Sequence, residues 1–405
     1  MGRVNRRFRT VAFGVALCAL AGKPGQARPR PLQVFILAGQ SNMQGHANVS
    51  TLDAMADDPK TAPILRELRN ADGSPRVCDR VWISSVGCAG DGWSDVIEQT
   101  GRLTAGFGAS SSEIGPELTF GIAMEKRLRA PILLIKTSWG GRNLHTDFRP
   151  PSAGLEPIND FTLSEWRRRG LDVNEEAEKV HRAGGVFYRH MIEHVPKVLS
   201  DIGRVVPGYD PKQGYRLAGF VWFQGWNDLV DDGTYRERMK PGGYDEYARL
   251  LALFIRDVRR DLSAPRLPFV IGVLGVGGEA EGRKPPQCHF RQAQAAPASL
   301  PEFRGNVAAV PTAPFWDDDL AALAARRERV LWQVEEAAKK TPGASPEALE
   351  AARRKAIAEA FTADELRRLK GASHWECHYW GAAKIMAPIG KALADAMVSL
   401  LRSSK

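Results

Sequence analysis

Six short runs rich in apolar and β-branched residues recur along this chain, with helical patterns between them. The runs are LQVFILAG (32–39), DRVWISS (79–85), APILLIKTS (130–138), LAGFVWFQG (217–225), LPFVIGVLG (267–275) and, more weakly, NVAAVPT (306–312). Helical spacing is clearest in 242–262, where Tyr244, Tyr247, Leu251, Phe254, Ile255 and Val258 recur every three or four residues. Segments 116–129 and 176–203 read the same way. Strands alternating with helices predict a parallel sheet covered on both faces. Near-continuous apolar runs such as FVWFQ agree, because such strands are buried on both sides. Ligands of these folds bind outside the carboxyl ends of the strands.

Two regions interrupt the alternation. Residues 145–175 are Pro-rich and charged, and are expected to form a surface loop or lid. Residues 317–370 are dense in Ala, Glu, Lys and Arg, with SPEAL and TADEL as N-cap signals, which predicts an inserted helical hairpin. Residues 1–27 read as a signal peptide, with basic RRFR, an apolar run of 13 residues and GQA before Arg28. Arg6-Arg7 hints at twin-arginine export, and Cys18 at a lipoprotein, although Leu17 is large for the latter. The expected organisation is therefore a leader at 1–27 and one domain at 28–405 carrying the insertion at about 317–370. Localisation is expected to be periplasmic or extracellular.

The formal charge is +9, but without the leader 51 basic face 47 acidic residues, +4, with both signs interspersed. That argues against a nucleic-acid partner. No later segment is long and apolar enough to span a bilayer. Cys78, Cys88, Cys288 and Cys377 permit disulfides without requiring them, and no CxxC pair suggests structural zinc. His46, His181, His190, His194 and His289 show no metal-ligand spacing among themselves. His190 and His194 are four apart, but no glutamate directly follows His190, so they are not a zincin pair.

Three strand ends carry polar, glycine-rich signatures: Gly39-Gln40-Ser41-Asn42-Met43, Ser138-Trp139-Gly140-Gly141-Arg142-Asn143 and Gln224-Gly225-Trp226-Asn227-Asp228. Near the C-terminus, His378 precedes a helix of small and apolar residues. Ester hydrolysis needs a nucleophile, a base and donors for the oxyanion. Ser41 offers a hydroxyl on a tight turn. A glycine lets a backbone N–H approach closely, and Asn227 supplies an amide. Such donors are worth roughly 3–4 kcal/mol each. His378 can take the serine proton near neutral pH. Each piece alone has an ordinary structural reading: a turn serine, a loop, a helix cap, a packed histidine. Their combination in this order favours chemistry.

The pattern resembles the SGNH (GDSL-like) hydrolase superfamily. GQSNM, GPELTFG, KTSWGG and VWFQGWND are similar to its sialate O-acetylesterase-like branch, close to carbohydrate esterase family 6, over about 32–312 and again 373–400. The resemblance implies a three-layer α/β/α sandwich, flavodoxin-like, with a parallel five-stranded sheet and here a helical insertion. It implies no cofactor and an acetylated carbohydrate as substrate. It makes Ser41 the nucleophile and His378 the base, with Ser41 N–H, Gly140 and Asn227 in the oxyanion hole. Gly141 is the alternative donor to Gly140.

One departure stands out. The family commonly places Asp three residues before the histidine, and here that residue is Trp375. Glu376 orienting His378, a backbone carbonyl or a distant acid (Asp228, Asp317), a Ser-His dyad and a dead enzyme all remain open. His374 is a rival base. Gln40, Gln224, Gly141 and Arg142 are candidate substrate contacts, but the glutamines equally suit tying loops together. Trp139, Trp226, Trp375 and Trp380 suit sugar faces and core filling alike. The leading function is an exported serine esterase acting on O-acetyl esters of carbohydrates. The alternatives are a non-catalytic carbohydrate-binding protein, or a lipase or thioesterase of the same superfamily. Oligomeric state and the identity of the sugar are open.

Overall fold

In the computed structural model, residues 30–87, 96–340 and 345–403 are described. The leader expected at 1–27, Cys18 and Cys88 lie outside them. Among the described residues nine strands form in chain order: β1 (Leu32–Gly39), β2 (Ala47–Asn48), β3 (Val81–Val86), β4 (Glu98–Arg102), β5 (Glu113–Ile114), β6 (Ile132–Ser138), β7 (Tyr215–Phe223), β8 (Phe269–Val273) and β9 (Val307–Pro311). Seven of them make one sheet in the order β4-β3-β6-β1-β7-β8-β9, while β2 and β5 pair separately. Every neighbour pair in the large sheet is parallel except β3–β4.

The sheet thus has seven strands rather than the expected five. The six apolar runs account for six of them. The seventh, β4, reads EQTGR and pairs antiparallel at the edge. An edge strand with a wetted face needs no apolar run, so hydrophobic pattern gives it no signal.

Alternation along the strands sets the layers. A Cβ on Gly219 in β7 would strike the Met397 side chain of the helix Ala383–Ser403. The next residue, Phe220, turns to the opposite face and meets Phe254 of the helix Asp245–Asp261. Phe35 of β1 shares the first face with Phe120 of the helix Pro116–Leu128. On the second face, Tyr188 of the helix Val186–Ser200 packs on Phe254 and donates to Asp261 at 2.7 Å. Phe220, Val221, Trp222 and Phe223 are fully buried, as a strand between two helical layers requires. The result is the α/β/α sandwich that the alternation predicted.

Strand β1 lies at the centre. After β6 on one side of it, the chain crosses to β7 on the other. That reversal makes the carboxyl end of β1 the switch point of the sheet, where a crevice opens.

The connection at 145–175 is not a plain loop. It carries a short turn, Pro151–Ala153, and the helix Asp160–Arg168, and the helix Val173–Ala183 begins within it. Buried Arg149 organises it, donating to the carbonyls of His145 (3.0 Å), Ala153 (3.3 Å), Gly154 (2.8 Å) and Leu155 (3.2 Å). Asn159 and Asp172 cap the two helices. Residues 317–370 form the helices Asp318–Lys339, Pro346–Ala360 and Ala363–Leu369. Ser345 caps the second, and Thr362 with Glu365 forms a capping box at the third. No helix among the described residues is long and apolar enough to cross a membrane. Cys78, Cys288 and Cys377 are free thiols.

Candidate active site

The three polar signatures meet because their strands are neighbours in register. Gly39 at the end of β1 pairs with Ser138 of β6 on one side and Phe223 of β7 on the other. A Cβ on Gly39 would lie 2.1 Å from the Phe223 carbonyl oxygen, so glycine permits this close approach. The chain then turns at once into the helix Ser41–Gln44, with Ser41 as its first residue. A first-turn N–H has no acceptor within its own helix and is free for another partner. Ser41 is 4% exposed, and its Oγ receives a 3.4 Å contact from Gln40 Nε2.

Gly140 stands beside Ser41: a Cβ placed on it would be 3.9 Å from Ser41 Cβ and 3.2 Å from Gln44 Oε1. Gly141, at φ 70°, takes the left-handed turn that follows. On the β7 side, Gln40 Nε2 donates to Asn227 Oδ1 at 2.8 Å. Fixing the carbonyl end of that amide directs its NH₂ end away from Gln40. Ser41 therefore has Gly140 beside it on the β6 side, and Gln40, its neighbour in the chain, contacts Asn227 on the β7 side.

Gln40 and Gln224 are buried and tie loops together, the second of the two roles the sequence left open. Gln40 Oε1 accepts from Gly225 N (2.9 Å) and Gln224 Nε2 (3.0 Å). Gln224 Nε2 also reaches Asp228 Oδ2 at 2.6 Å, and Tyr247 donates to Gln224 Oε1 at 3.0 Å. Asp228 is fully buried and accepts further from Leu144 N (2.8 Å), His145 N (3.2 Å) and Tyr235 OH (3.0 Å). Burial pushes its carboxyl up to about 6 although these donors pull the other way. It joins the loop after β6 to the end of β7. Arg142 lies over the Phe187 ring at 4.3 Å and 3.6 Å from Asp147.

His378 sits on a tight loop between the helices Ala363–Leu369 and Ala383–Ser403. The N–H groups of Ser373 and His374 both donate to Trp380 O, at 2.8 and 3.0 Å. Tyr379, Trp380 and Gly381 are all left-handed (φ 52°, 59° and 56°). Gly381 is required there, since a Cβ would strike His46 O, Ser373 Oγ and His374 Cβ. Buried Tyr379 anchors the loop through Gly275 N (2.8 Å) and Thr312 Oγ1 (2.7 Å). Asn42 Nδ2 donates to Cys377 O at 3.1 Å, which ties the Ser41 helix to the His378 loop.

The group facing His378 Nδ1 is His374 Nδ1, at 2.8 Å. Trp375 N also points at His374 Nδ1, at 2.9 Å, so that nitrogen is assigned as the acceptor and His378 carries the Nδ1 proton. That tautomer leaves His378 Nε2 unprotonated. Burial and the neighbouring imidazoles of His46 and His374 hold His378 down to about 3, so the ring is neutral at physiological pH. Glu376, the acid proposed to orient it, is pushed up by burial and by the charges of Glu328 and Glu281. Asp228 is engaged as described, and Asp317 pairs with Lys384 while capping the helix Asp318–Lys339.

The third imidazole is His46, which sequence spacing sets aside as a metal ligand and does not connect with His374 or His378. It stacks on His378 at 4.2 Å between ring centroids and lies 4.7 Å from His374. Its Nδ1 faces Glu113 Oε1 at 3.6 Å. Nothing in the spacing of GQSNMQGH signals this, because the partners are distant in the chain.

Comparison with known proteins is decisive on kinship. The family model described as carbohydrate esterase, sialic acid-specific acetylesterase, matches residues 31–313. The chain belongs to that family. Among solved structures, a protein from Arabidopsis thaliana is similar at 19% identity and TM-score 0.38, covering 70% of this chain and 86% of that one. A carbohydrate acetylesterase from Xanthomonas citri is similar at 15% identity and TM-score 0.36, covering 69% of this chain and 49% of its own. No curated protein matches by sequence. The region matched to the acetylesterase family contains all three strand-end signatures, while His374 and His378 lie beyond it.

Proposed function

We propose that this chain is a serine esterase that removes O-acetyl groups from carbohydrates. Ser41 Oγ attacks the acetyl carbonyl carbon while His378 Nε2 takes its proton. The oxyanion is held by Ser41 N–H, Gly140 N–H and the Asn227 amide, donors worth roughly 3–4 kcal/mol each in such sites. His378 returns the proton to the sugar oxygen as the C–O bond breaks, leaving acetyl-Ser41. Water, deprotonated by His378, attacks that ester, and His378 returns the proton to Ser41 Oγ as the acyl C–Oγ bond breaks and acetate departs. His374 takes the place of the usual acid by accepting from His378 Nδ1. A neutral acceptor fixes the tautomer but offsets less imidazolium charge than a carboxylate, so a slower enzyme than an acid-bearing relative is expected. Exposed Trp375 provides a face for the sugar ring. The leader-like sequence of residues 1–27 supports work in the periplasm or outside the cell as part of this proposal.

The observation that carries this reading is the convergence of Ser41, Gly140 and Asn227 at adjacent strand ends, with the His378 loop tied to the Ser41 helix. Among the described residues Ser41 Oγ has no hydrogen bond to His378, and catalytic contacts of this kind commonly tighten only on substrate binding. The test is hydrolysis of p-nitrophenyl acetate and acetylated glycans by the wild type, Ser41→Ala and His378→Ala. Loss of at least about 10³-fold in kcat for both variants is expected. Activity unaffected by Ser41→Ala overturns the assignment, and glycan binding by an inert wild type supports a carbohydrate-binding protein instead.

A further inference from the structure

His46, His374 and His378 come from two segments far apart in the chain, yet each offers a ring nitrogen, and these lie within 4.8 Å of one another. The rings face each other pairwise, with centroids 4.2 to 4.7 Å apart. His46 Nε2 is buried and has no hydrogen-bond partner. Its other nitrogen lies 3.6 Å from the Glu113 carboxylate, whose negative charge favours a proton on Nδ1 and so an Nε2 lone pair open to a metal. A carboxylate behind a histidine whose far nitrogen has no partner is the arrangement that supports metal-bound imidazoles.

We propose that these three histidines form a binding site for a divalent first-row transition cation of the zinc type, and that occupancy switches the esterase off. The inhibitory half rests on the catalytic reading of His378 given above; the binding half does not. Imidazole nitrogens select this class of cation over calcium or magnesium, which prefer oxygen. Three histidines leave a fourth tetrahedral position for water. With metal–nitrogen bonds of about 2.0–2.1 Å, tetrahedral ligand nitrogens stand roughly 3.3 Å apart. The His374–His378 pair, at 2.8 Å, has to open slightly and His46 to draw in, movements within reach of side-chain rotation. A cation entering between the two facing Nδ1 atoms displaces the proton shared there. The neutral His378 ring then carries its proton on Nε2, the nitrogen that has to accept one from Ser41. The metal and the catalytic tautomer therefore exclude one another.

The test uses tag-free full chain stripped with EDTA. Zn²⁺ is titrated in competition with a chromophoric chelator against wild type, Ser41→Ala, His46→Ala, His374→Ala and Glu113→Gln, and Co²⁺ is added to the wild type for its visible spectrum. One equivalent is expected to bind wild type and Ser41→Ala alike, with the intense bands of a tetrahedral Co²⁺ site. His46→Ala and His374→Ala are expected to weaken binding by more than about 100-fold, and Glu113→Gln by about 10-fold. Wild-type hydrolysis of p-nitrophenyl acetate is expected to fall in step with zinc occupancy and to return on chelation. The site is overturned if wild type binds no stoichiometric metal, or if both histidine variants bind as it does. Stoichiometric binding with unchanged or increased hydrolysis overturns the inhibition. Zinc binding by a wild type that is inert when metal-free overturns the catalytic reading and leaves the site standing.

Discussion

Gln40→Ala tests whether the amide of Gln40 aims Asn227. In the native site Gln40 Oε1 satisfies the N–H of Gly225 and the amide of Gln224, both buried, while Nε2 fixes Asn227 Oδ1. Removing the side chain leaves the buried Gly225 N–H without an acceptor, at about 1–3 kcal/mol, whereas the Gln224 amide keeps Asp228 Oδ2 and the Arg142 carbonyl. Water entering the vacated space recovers part of that, so a loss of about 1–2 kcal/mol in unfolding free energy is expected. The Asn227 NH₂ also loses its direction, and one misaimed oxyanion donor costs as much as 10²–10³ in kcat. The assay is urea unfolding together with kcat for p-nitrophenyl acetate in Gln40→Ala, Asn227→Ala and the double variant. If Gln40 acts through Asn227, the two losses in kcat do not add, and the double variant is no slower than about the worse single. Additive losses, or a Gln40→Ala enzyme that is destabilised but fully active, refute the reasoning.

Other consequences follow from the same contacts. Lys136 and Glu117 form an ion pair with both side chains 0% exposed, and Lys136 Nζ also donates to Gln44 O at 2.7 Å at the end of the Ser41 helix. Lys136→Met strands a buried carboxylate and is expected to cost about 3–5 kcal/mol by urea unfolding, part of which Lys136→Met/Glu117→Gln recovers; equal stability of the two variants contradicts this. Burial holds His194 down to about 4, and its Nε2 lies 2.8 Å from Ser84 Oγ. Between pH 6.5 and 4 the unfolded chain binds the extra proton, so stability rises with pH there and falls on acidification, by up to on the order of 3 kcal/mol. His194→Gln should flatten the pH dependence of unfolding in that window, and an unchanged slope counts against the assignment. Trp375→Ala is expected to raise KM for an acetylated glycan about 5-fold, near 1 kcal/mol, while leaving p-nitrophenyl acetate kinetics alone; a parallel change for both substrates removes the stacking role.

The parts of the fold legible in the sequence were those written in buried apolar runs. β1, β3, β6, β7, β8 and β9 all follow the pattern, because a strand covered on both faces has little freedom in its residues. β4 was illegible for the opposite reason, since EQTGR at a solvated edge is held by pairing with β3. Gly39, Gly140 and Asn227 could be picked out because glycine and amides punctuate strand ends. That they converge needed the sheet order, which places β6 and β7 on either side of β1. The surroundings of His378 were harder. The sequence offers Glu376 nearby, a backbone carbonyl, or Asp228 and Asp317 at a distance, whereas the group on Nδ1 is His374, which the sequence offers only as a rival base. His46 and Glu113 reach the site through folding alone, and no local spacing encodes such a contact.

The central claim is that Ser41 is a nucleophile activated at the end of β1. Its most direct test is covalent labelling by a fluorophosphonate, read by intact mass and peptide mapping. The account predicts a single adduct on Ser41, absent from Ser41→Ala and slowed strongly in His378→Ala. An active esterase that takes no label, or takes it on another residue, contradicts it.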